Sequence, residues 1–301
     1  MNPADALAQA MQAAGFVPPV EVHGDGELHR FGPTGRRGDD AGWYVLHVDG
    51  VPAGAFGCWR TGYAENWCAR LDSDLTPNER RQVAQRVAAM RHQREAEQVR
   101  RHADAATAAT MRWEAAAPAA DHPYLLGKAV RAYGIRAEGA ALLVPMRTSD
   151  GKLHSLQTIG PDGTKRFMPG GRVRGCYHAI GRPHGVLIVA EGYSTGATIH
   201  EATGQAVAVA FNAGNLEPAA RALRARFPFA SILIAGDDDH RTAGNPGRTA
   251  AEQAALSVGG SAVLPLFPVP RPAHATDFND LGALAGLPAV RLAFAECLEA
   301  A

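Results

Sequence analysis

The stretch Ser231-Ile-Leu-Ile-Ala-Gly-Asp-Asp-Asp239 reads as a short apolar strand that delivers three acidic residues to a point where the backbone must turn. Side chains alternate along an extended chain, so Asp237 and Asp239 fall on one side and Asp238 on the other. The first two are therefore placed to share a hard cation, and Asp238 is the member expected to be dispensable. A second apolar run, Gly185-Val-Leu-Ile-Val-Ala190, ends in the same manner, in Glu191-Gly192. Carboxylates at two strand ends point to a divalent-metal centre.

Around these runs the pattern alternates. Strands are predicted at about 186–190, 206–210, 231–235 and 261–265, with helices at about 194–203, 216–226 and 247–258. Strands that are apolar on both faces and alternate with helices predict a mostly parallel α/β sheet covered on both sides. Ligands of such sheets bind beyond the carboxyl ends of the strands, where Glu191, Asp237 and Asp239 lie.

Upstream, Ala141-Leu-Leu-Val-Pro-Met146 and Lys152-Leu-His-Ser-Leu-Gln-Thr-Ile159 flank an Asp150-Gly151 turn and predict a hairpin. The formal net charge of zero conceals a division. Residues 128–182 carry ten Lys or Arg against three acids, whereas acids outnumber bases from Val186 onward. A basic α+β module beside an acidic one suits a polyanion held next to bound metal. The Gly-rich stretch from Thr164 to Arg174 supplies Lys165, Arg166, Arg172 and Arg174, with Lys152 on the hairpin, as candidate phosphate contacts.

Further upstream, Thr76-Pro-Asn-Glu79 starts a long Arg- and Ala-rich helix, most simply a solvated connector, which Pro118 ends. Residues 1–76 open with a short amphipathic segment and continue as a small β-rich module. Its Trp43, Tyr44, Phe56, Trp59, Tyr63 and Trp67 are interleaved with Arg60 and Arg70, a pattern that suits stacking on single-stranded template bases; the plainer reading makes these rings the core of a small sheet. Four domains follow: 1–76, 77–117, 118–184 and 185–301.

Cys58, Cys68, Cys176 and Cys297 form no C-x-x-C pair and no disulfide framework, which points to a reducing cytoplasm. Cys58, Cys68 and His47 fall short of a four-ligand zinc pattern, so no zinc is expected. His240 and His274 flank the acids but are poor ligands for an oxygen-seeking cation. No secretory pattern opens the chain and no run approaches about 18 apolar residues, so no membrane role is expected. The P-loop pattern is missing, so any helicase partner is expected to be a separate protein.

Four ordered motifs, Glu191-Gly192, Asp237-x-Asp239, Asn245-Pro-Gly247 and Asp277-Phe-Asn-Asp280, resemble the Toprim domain. Leu143-Val-Pro-Met-Arg147, Gln157-Thr-Ile159 and Gly163-Thr-Lys-Arg-Phe167 are similar to the basic half of the catalytic core in plasmid and phage primases, so the resemblance covers about residues 120–285. It implies a DNA-dependent RNA primase that joins ribonucleoside triphosphates on single-stranded DNA with two or more Mg²⁺ or Mn²⁺ ions. Asp237 and Asp239 would be metal ligands, Asp277 or Asp280 would serve a second ion, and Glu191 would be a ligand or proton relay. Lys165 and Arg166 would hold triphosphate or template, and Gly192 and Gly247 would form sharp turns beside the site. A Toprim nuclease and a non-catalytic single-strand-binding accessory protein are the alternatives.

Overall fold

The computed structural model describes residues 2–299 of the 301 in the chain, which divide into two compact units, one through Arg100 and one from Arg101 onward.

In the first unit, Asn2 caps helix α1 (Pro3–Ala13), accepting from the Ala4 amide. Four antiparallel strands follow in sequential order: β1 (His29–Phe31), β2 (Gly42–His47), β3 (Ala53–Cys58) and β4 (Tyr63–Cys68). Leu7 and Met11 of α1 pack on Tyr44, Leu46 and Phe56. On the opposite face Trp43, Val45 and Ala55 meet Met90 of helix α2 (Pro77–Ala115). Trp43, Tyr44 and Phe56 are thus sealed in a two-sided core and cannot stack on bases; β-rich is correct, but the rings belong to packing. The start of α2 is a reciprocal capping box between Thr76 and Glu79.

The second unit holds the rest of α2 and two five-stranded sheets. One is antiparallel: β5 (Ala117–Pro118), then after the short helix α3 (Pro123–Gly127) β6 (Arg136–Glu138), β7 (Ala141–Arg147), β8 (Leu153–Ile159) and β9 (Lys165–Phe167) in sequential order. The expected hairpin is β7–β8, and β9 lies at the open edge.

The other sheet is the expected parallel one, with strands β10 (His178–Ile180), β11 (Val186–Ala190), β12 (Ala206–Val209), β13 (Ser231–Ala235) and β14 (Ser261–Val263) in spatial order 10-12-11-13-14. Only β10 runs antiparallel. Helix α5 (Leu216–Arg226) and helix α6 (Pro246–Val258) cover one face; α4 (Tyr193–Thr203) and the terminal helix α7 (Phe278–Glu299) pack with the other. Helix α7 has the length and apolarity of a membrane span, but Gly286 at φ 79° and ψ 168° breaks it in two, and Phe278, Leu281, Val290 and Phe294 point into the core.

Buried polar groups join the antiparallel sheet region to the parallel one within this unit. Asn215 accepts from the Gly175 amide and donates to the carbonyls of Cys176 and Ala210. Tyr193 Oη accepts from the Tyr133 amide and donates to the Arg131 carbonyl, and Asn279 donates to the Lys128 carbonyl. Replacing Asn215 by Ala strands three buried backbone groups, so Asn215→Ala is expected to cost about 2–4 kcal/mol, read as a lower urea midpoint at an unchanged m-value.

Candidate metal centre

Strand pairing brings the acids together. Ala190 and Ala235 are register partners on the adjacent parallel strands β11 and β13, so Glu191 and Asp237 leave the sheet at the same edge. The β13 ladder ends at Ala235, and Asp237, Asp238 and Asp239 lie in the loop beyond it. Asp277 reaches the same place from the residue just before α7, where its Oδ2 accepts from Thr195 Oγ1 on α4 at 3.0 Å.

These carboxylates repel one another. Burial, then the charges of Glu191, Asp277 and Asp239, push the Asp237 carboxyl up to about 8, against the attraction of Lys165. Glu191 is raised by burial and by Asp239, with Lys165 again opposing. Asp237 Oδ1 is sealed from solvent and has no hydrogen-bond partner. A partly buried cluster of acids with an orphaned oxygen is a setting that a bound cation would stabilise. The donors are all oxygen, as a hard divalent ion requires. Among the described residues no three His, Cys, Asp or Glu side chains close into a ready-made cage.

Asp238 is the departure from the sequence reading. It does face away from Asp237 and Asp239, but into a cradle rather than into solvent. Arg271 Nη1 donates to its Oδ2 at 2.5 Å, Asn245 Nδ2 to its Oδ1 at 2.6 Å and Arg248 Nη2 to its Oδ1 at 3.3 Å. Burial alone would raise its carboxyl; these three donors hold it below the ordinary value. Arg271 also donates to the Asp238 and Ala275 carbonyls and lies 4.1 Å from the Phe267 ring centroid. Asp238 thus anchors the loop through three side-chain donors, which the sequence reading did not foresee.

Asn245 does more than its place in a motif suggests. Held at φ 43°, it accepts from the Asp239 amide at 2.8 Å and caps α6 by accepting from the Arg248 amide. Gly247 donates from its amide to Asp239 Oδ2 at 2.9 Å, and a Cβ there would stand 2.6 Å from the Asp237 carbonyl. Close approach, not a turn, requires that glycine. The chain bends at Glu191 and Gly192 between β11 and α4, but Gly192 has an extended backbone that any residue adopts and a Cβ would meet only Thr195 Oγ1 at 3.4 Å and Lys165 Nζ at 3.6 Å, so the bend does not require glycine.

The remaining candidates separate. Lys165 acts on both Glu191 and Asp237. Asp280 completes the capping box of α7: its Oδ2 accepts from the Thr276 amide while its own amide donates to Asp277 Oδ1. Arg172 and Lys152 lie instead by His154, lowering its pKa after burial has done so, and Arg172 donates to the Arg174 carbonyl. Arg166 points to the opposite side of β9 from Lys165. His240 and His274 are exposed. Sequence reasoning missed Thr195 and Arg271, neither of which carries a periodic or motif signal.

Residues 186–286 match the family model of the Toprim domain, which bears out the resemblance carried by Glu191, Asp237, Asp239 and Asp277 and the α/β fold class. Two curated proteins named DNA primase TraC, both from Escherichia coli, are similar to this chain. One is 38% identical over 284 residues, covering 89% of this chain and 27% of the relative; the other is 35% identical over 303 residues, covering 94% and 21%. The chain spans about a quarter of the length of these relatives. Among solved structures, the primase fragment of the bacteriophage T7 primase-helicase protein is 17% identical, with a TM-score of 0.42 over 56% of this chain and 72% of that one.

Two outcomes test this geometry. Asp238→Ala leaves Arg271 with a buried unpaired charge and is expected to cost about 3 kcal/mol, read by chemical denaturation. The second concerns pH. Asp237 keeps its proton in the folded state up to about pH 8 but loses it near 3.8 when unfolded. Between those values the native state binds more protons, so its contribution to stability falls as pH rises. Metal-free protein is expected to melt at a lower temperature at pH 8 than at pH 5, and Asp237→Asn should flatten that slope. Added Mn²⁺ should raise the pH 8 melting temperature of the parent protein more than that of the variant.

Proposed function

We propose that this chain is a DNA primase of the plasmid and phage type, which joins ribonucleoside triphosphates into short RNA on single-stranded DNA using Mg²⁺ or Mn²⁺. The observation that carries the reading is the orphaned Asp237 Oδ1 among mutually repelling carboxylates, with Lys165 opposing them from the basic sheet. Similarity to two DNA primases across most of the chain supports it.

In the proposed reaction a ribose 3′-hydroxyl oxygen bonds to the α-phosphorus of an incoming nucleotide, the bond to pyrophosphate breaks, and the hydroxyl proton leaves. A bound divalent cation would lower the hydroxyl pKa and offset charge on the departing pyrophosphate. Asp237 and Asp239 are the proposed ligands, Asp277 serves a second ion, and Asp280 holds the α7 turn that presents Asp277. Glu191, whose carboxyl is raised by burial and by Asp239, is the group that would take up that proton. Lys165 holds the triphosphate. Arg166, Arg172, Arg174 and Lys152 lie on other parts of the basic sheet region and suit the template backbone, where their effect would be dependent on salt.

Four free cysteines, with burial pushing the Cys176 thiol up to about 11, suit a reducing cytoplasm. A replicative helicase would be a separate partner. Incubating the protein with single-stranded DNA, labelled ribonucleotides and Mn²⁺ is expected to give short RNA, which Asp237→Ala/Asp239→Ala abolishes. Lys165→Ala should lower kcat/KM for ribonucleotide by roughly 10²-fold. Metal-dependent shortening of the DNA, with no RNA formed, would make the protein a nuclease; binding without product in either case would leave the accessory role.

A further inference from the structure

We propose that Phe167 is the nucleobase platform of this site: its exposed ring stacks on the base of the incoming ribonucleotide whose phosphates Lys165 holds. The inference rests on the polymerase reading above and assigns a residue that the motifs leave without a role.

The argument begins with the alternation of β9. Lys165, Arg166 and Phe167 are all exposed, and alternation puts Lys165 and Phe167 on one face with Arg166 on the other. Both outer residues reach the carboxyl edge of the parallel sheet by independent contacts. Lys165 Nζ lies 3.6 Å from where a Cβ on Gly192, the neighbour of Glu191, would stand. Phe167 stands edge-to-face on Phe211, with ring centroids 6.3 Å apart and planes at 77°. Phe211 follows β12, and its amide donates to the Glu191 carbonyl at 2.8 Å. The Phe167 ring is therefore tied to the residue that flanks the metal centre.

Phe211 adds a second observation. Its φ of 75° lies in the left-handed region, which a bulky aromatic residue enters only when its surroundings force it to. Its ring is buried, at 7% exposure, whereas Phe167 retains 39%. A strained, sealed ring thus props up an open one beside the acids. The alternating residues Lys165 and Phe167 are about 6.8 Å apart along the strand, the scale that separates a nucleotide's phosphate from its base. A cation for phosphate and a ring for a base, on one face and at that spacing, fit a nucleotide. Stacking tolerates every base, as a template-directed enzyme requires.

The competing account makes Phe167 a surface ring that only covers Phe211. Phe167→Leu separates the two, because leucine covers a neighbour but offers no π-face. Steady-state priming on single-stranded DNA is expected to show KM for ribonucleotide raised roughly 5- to 150-fold in both Phe167→Ala and Phe167→Leu, the range for one lost base–aromatic stack, with kcat little altered. Phe167→Trp should restore a low KM. The fluorescence change of the introduced indole, taken against the same titration of wild-type protein, should follow ATP but not inorganic tripolyphosphate, with Mn²⁺ affinity by electron paramagnetic resonance equal to wild type. A wild-type KM in Phe167→Leu overturns the proposal, as does a rise confined to the template KM. If wild-type protein makes no primer, the polymerase reading fails, and the fluorescence titration alone decides: selective response to ATP upholds a nucleobase platform, and an equal response to tripolyphosphate removes it.

Discussion

Repulsion among carboxylates at the carboxyl edge of one parallel sheet is the constraint around which the second unit is arranged. Glu191, Asp237, Asp239 and Asp277 come from three different elements, and each raises the cost of ionising Asp237 or Glu191. Left to relax, such groups would swing apart into water. The fold holds them by fixing their neighbours. Asp238 is gripped by Arg271, Asn245 and Arg248, which sets the loop so that Asp237 and Asp239 must face the other way. Asn245 and the Gly247 amide then fix Asp239, and Thr195 fixes Asp277. A site kept in tension by tethers on its back side is ready for a cation without rearrangement.

The sequence made the parallel sheet legible because strands buried on both faces leave unbroken apolar runs, and Val186–Ala190 and Ser231–Ala235 stand out against their surroundings. Alternation also gave the correct facing of Asp237 and Asp239, although the ladder stops at Ala235 and the residues that carry the pattern are no longer strand. What alternation does not give is the environment on the far side. Nothing local to Asp238 announces Arg271, a loop residue 33 positions away. The same limit applies to glycine: Gly192 and Gly247 both belong to the acidic motifs in the sequence, but only Gly247 has a carbonyl 2.6 Å from where its Cβ would be. Helix α7 was illegible for another reason. Its Gly286 break and Pro288 interrupt any helical period, so an apolar, long segment carries no clean signal.

Composition located the positive charge but did not sort it. The ten basic residues between Lys128 and Arg182 form one block in the sequence, yet Lys165 is the one of the proposed contacts named as opposing the rise of both Asp237 and Glu191. Arg172 and Lys152 gather near His154. Strand alternation accounts for part of this, since adjacent residues of β9 must diverge. The rest comes from chain reversal between β8 and the loop that leads to β10, which no count of charges contains. The aromatic residues of the first unit make the complementary point: Trp43, Tyr44 and Phe56 look like a base-stacking set in sequence and are consumed by a sheet that has both faces covered.

Lys165 and the acids lie on different sheets, so their alignment depends on how firmly those sheets are joined. An apolar joint alone would fill the space but tolerate sliding, because hydrophobic burial has no direction. This joint adds buried polar contacts with fixed geometry: Asn215 takes the Gly175 amide and two carbonyls, Tyr193 both accepts and donates, and Asn279 reaches the Lys128 carbonyl. His178, pushed down to about 4 by burial, stays neutral at physiological pH and holds the Tyr133 carbonyl through Nε2. Each contact would be broken by a small displacement and would leave a buried group unpaired, so the network penalises misalignment more steeply than packing does. Catalysis generally loses about a hundredfold for a displacement of about 1 Å, so directional bonds of this kind between the sheet that carries Lys165 and the sheet that carries the carboxylates are what the proposed reaction would require.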